Sequence, residues 1–440
     1  MSGVRAHDQE LLALGLTLPG FVERSKVIAQ LPSLGLLYLA AATPNGHDVR
    51  YYEAPADGEE PAEIYACDLV AISTFSAQVK EAYAIADRLR AAGVKVAMGG
   101  LHVTIRPYEA QEHADYVVLG EGENVWPAVV EAAAAGRPPQ VFDAIEFPPV
   151  MVSRLPVPRY DLLVGRAYNR FTVQTSRGCP WRCDFCASNV MLRQSYRRRL
   201  VTHVLRDIDA ICRVQPRPFI EFADDNTFVD KAWGKELCRG LIPYHLKWFT
   251  ETDISVGDDE DLLELMRLAG CRQVLIGLES PGRRELEGVE LKKNFKARRA
   301  ARYADAIRRI QSHGITVNGC FILGLDDHTP RIFQDVLDFA TESSLYEVQI
   351  TVLTPFPGTP LYDRLLREGR LIEPERWELC TLFDVNYIPA RMSVRQLREG
   401  LYWLAERLYS RECTEARRRG FFQQWRHGVT CHADVGLHVA

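Results

Sequence analysis

The chain has 440 residues, long enough for two or three domains with ample cores. A hydrophobic fraction of 47% and a charged fraction of 25% are those of an ordinary soluble globular protein, and a net charge of −5 leaves no basic excess for general nucleic-acid binding. Residues 1–10 lack the basic start and apolar core of a secretion signal, and the longest apolar stretch, 31–42, is too short to span a bilayer, so a cytoplasmic location is expected.

From the N-terminus, residues 1–140 alternate strand-like and helix-like runs, which predicts a parallel, doubly wound sheet of the Rossmann-like kind. Strands are expected at 11–18, 48–53, 69–73, 94–98 and 116–119. Between them 79–92 is helical, with Ala82, Ala86, Leu89 and Ala92 on one face. Gly99-Gly100 closes the fourth of these strands and Gly120-Glu121-Gly122-Glu123 follows the fifth; glycines there let a ligand approach the backbone at the carboxyl edge.

Pro138, Pro139, Pro148, Pro149, Pro156 and Pro158 mark an extended linker over 141–170. A second alternation follows. Strands are expected at 171–175, 218–222, 246–251, 273–277, 316–322 and 346–352, with helices at 200–213, 231–241, 258–268, 296–313, 329–341 and 360–369. Six βα units in series predict a partial (β/α)6 barrel of the TIM type over 171–385, whose chemistry belongs on the loops after the strands. Residues 386–440 form a helical region, with an amphipathic helix at 393–409 capping the barrel and a loosely ordered end beyond Arg419.

Directly after the first barrel strand comes Arg177-Gly178-Cys179-Pro180-Trp181-Arg182-Cys183-Asp184-Phe185-Cys186. Three thiolates at C-x3-C-x2-C spacing hold three corners of a cubane 4Fe-4S cluster and leave the fourth iron open, which catalysis needs and a structural site avoids. A structural zinc site would want a fourth Cys or His nearby, but the next cysteine, Cys212, stands alone on a helix-like stretch. A disulfide framework does not suit the other, isolated cysteines.

This cysteine spacing resembles the signature of the radical S-adenosylmethionine (radical SAM) superfamily. Val173 to Cys179, Gly99 to Thr104, Gly120 to Glu123 and Thr354 to Leu361 resemble the branch with an N-terminal cobalamin-binding-like domain, so the likeness runs over about residues 30–410. The resemblance implies Cys179, Cys183 and Cys186 as cluster ligands, with SAM on the open iron. It also implies SAM contacts at the strand ends: Asp224 and Asp225 for the methionine ammonium, Glu251, Asp253, Glu279 and Ser280 for ribose and carboxylate, Gly319 and Ile322 beside the adenine. The implied reaction is reductive cleavage of SAM and modification of an unactivated carbon on a small-molecule or lipid-like substrate. Its simplest form is cobalamin-assisted C-methylation; radical cyclisation, coupling or transfer of another SAM-derived group is the alternative. A cluster-bearing sensor without turnover is a third reading. A reducing partner such as flavodoxin or ferredoxin is implied.

Cobalamin-dependent mutases carry D-x-H-x-x-G, but the corresponding loop, Ala54-Pro55-Ala56-Asp57-Gly58-Glu59-Glu60, has no histidine. Two readings stay open: a cobalamin site without a His ligand from that motif, lined by Ser73, Ser76, Gly99 and Gly100, or a retained fold without the cofactor. His102 reads as a hydrogen-bonding residue before a ligand, and Arg193, Arg197, Arg198 and Arg199 as a solvated helix start before an anion site.

Overall fold

The computed structural model of the chain describes residues 31–53, 60–166, 168–188 and 196–435, with side chains as far as 427. The strand expected at 11–18, the loop 54–59 and Arg193 lie outside the described residues.

Helix α1 (Leu34–Ala42) is a run of strong helix formers that buries Leu37 and Tyr38. Then come β1 (Leu69–Ser73), α2 (Val79–Ala91), β2 (Lys95–Gly99), the short α3 (Leu101–Ile105) and α4 (Pro107–His113), β3 (Tyr116–Leu119), α5 (Trp126–Ala134) and β4 (Gln140–Asp143). The four strands lie in chain order, all parallel. Helix α2 forms where expected because Val79, Ala82, Tyr83, Ala86 and Leu89 recur on one face, and all five are buried.

Two expectations need correction here. Residues 48–53 join neither sheet. Their polar groups go to other segments instead: the Tyr51 hydroxyl accepts from Ser33 N at 2.7 Å, and Glu53 accepts from the Tyr168 hydroxyl at 2.8 Å. Strand β4, unforeseen, starts where the linker was expected. The proline-rich stretch that follows is packed as well as extended, with Val150, Val152, Leu155, Tyr160 and Leu163 all buried. Its prolines deny it ladder hydrogen bonds, but its apolar residues still need cover.

The second sheet has six parallel strands: β5 (Phe171–Val173), β8 (Phe219–Phe222), β9 (Lys247–Glu251), β10 (Cys271–Glu279), β11 (Thr316–Leu323) and β12 (Glu347–Val352). They pair strictly with their chain neighbours, and β5 and β12 form the two edges, which makes an open partial barrel. Between them a two-stranded antiparallel ladder joins β6 (Ser176–Arg177) to β7 (Arg197–Arg198). Helices α6 (Val201–Val214), α7 (Lys231–Leu241), α8 (Glu260–Leu268), α9 (Phe295–Arg299), α10 (Tyr303–Ser312), α11 (Ile332–Glu342) and α12 (Pro360–Arg367) fill the connections. One face of each strand is sealed beneath them: Ile220, Phe222, Trp248, Val274, Ile276, Val317, Phe321, Val348 and Ile350 are buried. The other face lines a hollow. There Ala223 and Glu251 are exposed, and Leu275, Gly277, Cys320, Ile322 and Gln349 are partly exposed.

Helix α13 (Val394–Leu408) caps the barrel, its Ser393 and Gln396 forming a reciprocal N-terminal cap. The expected loose end is instead a 25-residue helix, α14 (Arg411–Val435). It docks through Arg417, fully buried and donating to Leu345 O and Leu408 O, and through Phe421, which meets the Tyr346 ring edge-on at 5.0 Å. Its arginines hide this amphipathic face from a hydropathy reading. Among the described residues no helix is long and apolar enough to cross a membrane.

The two sheets are not independent. Leu37 and Tyr51 belong to the barrel core, while Tyr362, Trp377 and Cys380 complete the core of the first sheet.

Candidate functional site

The cysteine loop leaves the carboxyl end of the barrel's first strand. Its base is closed by the β6–β7 ladder, where Ser176 faces Arg198 and Arg177 faces Arg197. Gly178, at φ +80°, turns the chain out of β6. The loop is then tied down from three directions. Trp181 stacks on Phe295 at 4.0 Å and donates from its indole to Asp253 at 3.1 Å. Asp184 N donates to Val289 O at 2.9 Å, and Asp184 O accepts from Leu361 N at 3.1 Å, which brings the proline-rich loop after β12 onto the cysteines. Glu290, almost fully buried, accepts from the backbone N–H groups of Arg182, Lys292, Lys293 and Phe295. Burial alone would raise the Glu290 carboxyl, but these donors outweigh it and hold it below its ordinary range.

None of the three cysteines is in a disulfide, and each is partly buried. Burial pushes the Cys179 thiol up to about 11, and Cys183 is raised further; the neighbouring thiols contribute to both. Desolvated thiols at Cys179 and Cys183 that resist ionising alone suit a cationic iron cluster, which takes its ligands as thiolates. Among the described residues no three His, Cys, Asp or Glu side chains converge on one point as a single metal ion would need. A cubane binds each thiolate on a different iron, so its ligands have no such need.

Around the loop, the expected strand-end residues divide. Asp225 lies on the hollow side, accepting from Gly178 N at 3.1 Å, and its charge acts on Cys179. Glu251 is exposed to the hollow but not to bulk water: burial, then Glu221, Asp225 and Asp224, push its carboxyl up to about 8. Its carboxylate accepts no hydrogen bond among the described residues, although its backbone oxygen accepts from the Thr250 hydroxyl. Glu279 takes φ +64°, with Ser280 N donating back to Leu278 O at 2.9 Å, a γ-turn that a non-glycine residue adopts only under strain. Its carboxylate accepts from Lys296 at 2.7 Å, and the same ammonium donates to Gly277 O at 2.6 Å. Burial opposes the Lys296 charge, but Glu279 and Cys183 more than offset that. Asp253 holds Trp181 and Asn226, and so supports the loop rather than lining the hollow freely. Ile322 lies on the hollow face beside Cys320.

Three expected contacts are corrected. Asp224 points to the sealed face, where its carboxylate accepts from Thr175 N at 2.7 Å, Ser176 N at 2.8 Å and the hydroxyls of Thr175 and Thr227. Burial still lifts it to about 6. Ser280 is fully buried and accepts from His328 Nε2 at 3.2 Å; His328 Nδ1 accepts from Gly324 N and Leu325 N, which places its proton on Nε2. Gly319 also lies on the sealed face, where a Cβ would come within 2.8 Å of Leu345. Its smallness serves packing.

At the carboxyl edge of the first sheet, Gly100 has φ +107° and ψ −173°, a region open essentially to glycine. A Cβ there would stand 3.1 Å from Thr74 O and 3.4 Å from Ser73 Oγ. The missing Cβ of Gly100 lets the two strand ends pack closely, and Gly99 and Gly100 present bare backbone beside the Ser73 hydroxyl, which fits a group laid against main chain, as the nucleotide tail of a cobalamin would be. Ser76 does not join them. It is buried against His102 Nδ1 at 3.1 Å, while His102 Nε2 meets Glu109 at 3.2 Å. Burial lowers His102, so it is neutral, donating to Glu109 and accepting from Ser76, with no nitrogen left for a metal.

Of the described arginines after the loop, Arg198 is exposed as expected of a solvated helix start, while Arg197 and Arg199 are taken up by carboxylates of the protein. Arg197 pairs with Glu121 at 2.9 Å, Arg198 with Asp230 at 3.2 Å and fully buried Arg199 with Asp207 at 2.5 Å. Glu290, Lys296, His328 and the partners of Arg177 escaped sequence reading because each makes at least one contact between 17 and 108 positions away.

The chain matches the family model described as B12 binding domain over residues 24–130, the Radical SAM superfamily over 173–340 and a domain of unknown function over 359–433. It is 30% identical over 368 residues to an uncharacterized methyltransferase of Synechocystis, covering 82% of this chain and 68% of that protein. It is 26% identical over 397 residues to bacteriochlorophyllide d C-12(1)-methyltransferase of Chlorobaculum tepidum, covering 89% and 86%. The structure of the radical S-adenosylmethionine methyltransferase TsrM from Kitasatospora setae, with cobalamin and a [4Fe-4S] cluster bound, superposes with a TM-score of 0.59. It covers 84% of this chain and 90% of that one at 17% identity, a likeness of fold.

Proposed function

Because the chain belongs to the radical SAM superfamily, in the branch with an N-terminal B12-binding domain, we propose that it is a cobalamin-dependent C-methyltransferase acting on an unactivated carbon of a small organic or lipid-like molecule. The observation that carries this reading is the cysteine loop at the end of the first barrel strand, joined through Arg177 to Glu121 and Glu123 on the strand-end loop of the first sheet. When bound, the cluster supplies one electron to break SAM into methionine and a 5′-deoxyadenosyl radical, and cobalamin supplies a methyl carrier.

We assign Cys179, Cys183 and Cys186 as cluster ligands. Asp225 is an acceptor for the methionine ammonium, and Ile322 an apolar wall for the adenine. Glu279, oriented by Lys296, faces the same ligand from β10. Glu251 lines the hollow without a protein partner and is the acidic group left for SAM or substrate. Ser73, Gly99 and Gly100 line the cobalamin tail, with no histidine in residues 54–60 to reach the cobalt. Trp181 stacked on Phe295 and the proline-rich loop after β12 exclude water from one side of the site, which a carbon radical requires. The chain is divided as 1–140, 141–170, 171–385 and 386–440, with β4 moving the first boundary a few residues on. The reading includes a cytoplasmic setting and a one-electron donor such as flavodoxin or ferredoxin.

The test is anaerobic purification from cobalamin-supplied cells, with iron and cobalt counted per chain and SAM products followed after reduction. About four irons and one cobalt are expected, with S-adenosylhomocysteine beside 5′-deoxyadenosine. Formation of 5′-deoxyadenosine alone, without cobalt, favours the second reading, radical cyclisation or coupling.

A further inference from the structure

Arg177 and Arg197 face each other across the β6–β7 ladder at the base of the cysteine loop. Two cations directly opposite on adjacent strands repel, so this ladder is unfavourable unless anions sit between them. The anions come from the other sheet. Arg177 Nη1 donates to Glu121 Oε1 at 2.7 Å and its Nη2 to Glu123, while Arg197 Nη2 donates to both Glu121 oxygens at 2.9 and 3.0 Å. Gln174 orients the fork through Arg177 Nε at 2.7 Å, and the Tyr38 ring from α1 lies against the guanidinium at 5.8 Å. The side chains of Arg177, Glu121 and Glu123 are 7%, 10% and 9% exposed. Two positive and two negative charges balance, buried at the seam between the sheets. A balanced buried quartet adds little net stability, and its best-attested use is to fix register.

The two ends of this quartet matter. Arg177 stands two residues before Cys179, while Glu121 and Glu123 sit on the loop leaving β3, at the edge that carries Gly99 and Gly100. We propose that Arg177, gripped by Glu121 and Glu123, is a positioning residue that locks the first sheet's strand ends over the cysteine loop and so sets the reach between the two cofactors. The inference rests on the reading of the chain as a cobalamin-dependent methyltransferase. Methyl transfer between groups held by two different sheets depends on their alignment to about an ångström, and a misplacement of that size costs on the order of 100-fold. Reductive SAM cleavage needs the barrel alone.

The experiment uses the full chain, anaerobically reconstituted with iron and sulfide, given SAM, added cobalamin and a chemical reductant, without substrate. Glu123→Gln keeps the side-chain shape and removes one charge; Arg177→Lys keeps the charge and removes the fork. In Glu123→Gln, iron content and 5′-deoxyadenosine formation stay within about twofold while S-adenosylhomocysteine formation falls about tenfold or more. Arg177→Lys shows the same loss of S-adenosylhomocysteine. In both variants amide hydrogen exchange over 120–125 speeds up. The proposal is overturned if S-adenosylhomocysteine and exchange stay unchanged in both variants, or if iron and both products fall together in Glu123→Gln. If the unsubstituted chain makes 5′-deoxyadenosine but no S-adenosylhomocysteine, the cobalamin reading fails instead. The exchange measurement then decides the clamp alone, and unchanged exchange over 120–125 overturns it.

Discussion

The carboxyl edges of the two sheets are built by opposite means. The first sheet leaves no free charge at its edge: Gly99 and Gly100 carry no side chain, His102 is turned inward between Ser76 and Glu109, and Glu121 and Glu123 are taken up by Arg177 and Arg197. The barrel fills its edge with charge, so Asp225, Glu251, Glu279 and Lys296 gather where water is scarce. The difference is a difference of ligands. An edge of bare backbone suits a large body bound by shape and main-chain hydrogen bonds, while a charged hollow suits a small zwitterionic molecule held at each end.

The barrel side of this contrast depends most on its thiols. Cys183→Ala is expected to lower bound iron sharply and abolish SAM cleavage, measured by iron content and chromatographic assay; a fully active variant would falsify the cluster assignment. Next in size is a pH effect confined to the charged edge. The Glu251 carboxyl is raised in the folded state, from 4.5 to about 8, so the folded chain binds its proton more tightly than the unfolded chain. Stability from this group is present at pH 4 and is lost as pH rises toward 8. In SAM-free protein, Glu251→Gln is expected to flatten the urea midpoint across that window, and an unchanged slope would place the charge in solvent.

The bare edge gives a smaller change. Gly100→Ala forces a side chain into backbone space near Thr74 O and is expected to cost about 1–3 kcal/mol, with weaker cobalamin retention on gel filtration. Equal retention in the variant would mean that the cradle at Gly100 does not touch the ligand. The smallest effect lies beneath the hollow, where Asn318 is fully buried with both amide atoms unpartnered among the described residues. Asn318→Leu is expected to leave the thermal midpoint level or slightly higher, because no hydrogen bond is lost and a desolvation cost is removed. A fall of several degrees would reveal a bound water or ligand there.

How far the sequence reached follows from where its signals were local. The six barrel strands were legible because each has one face sealed by helices, which imposes a period on the residues themselves. Helix α14 was not, since its docking rests on a buried arginine and a few aromatics within a polar run. Neither was the choice between Asp224 and Asp225. Adjacent residues near a strand end point to opposite faces, and only the register of the sheet tells which face is the hollow. Ser76 and Ser280 read as ligand-binding hydroxyls, but His102 and His328 had already taken them.

The sequence by itself determined the chemistry, because three thiolates at C-x3-C-x2-C need only a short loop to present them, and it determined the parallel βα architecture, because that is written in periodicity. Tertiary structure alone decided which carboxylates face the hollow and which staple the loop. It also decided that Arg177 and Arg197 belong to the first sheet's glutamates. Those outcomes depend on charges brought together from more than 50 residues apart and desolvated, and the energy of a charge is set by what surrounds it in space.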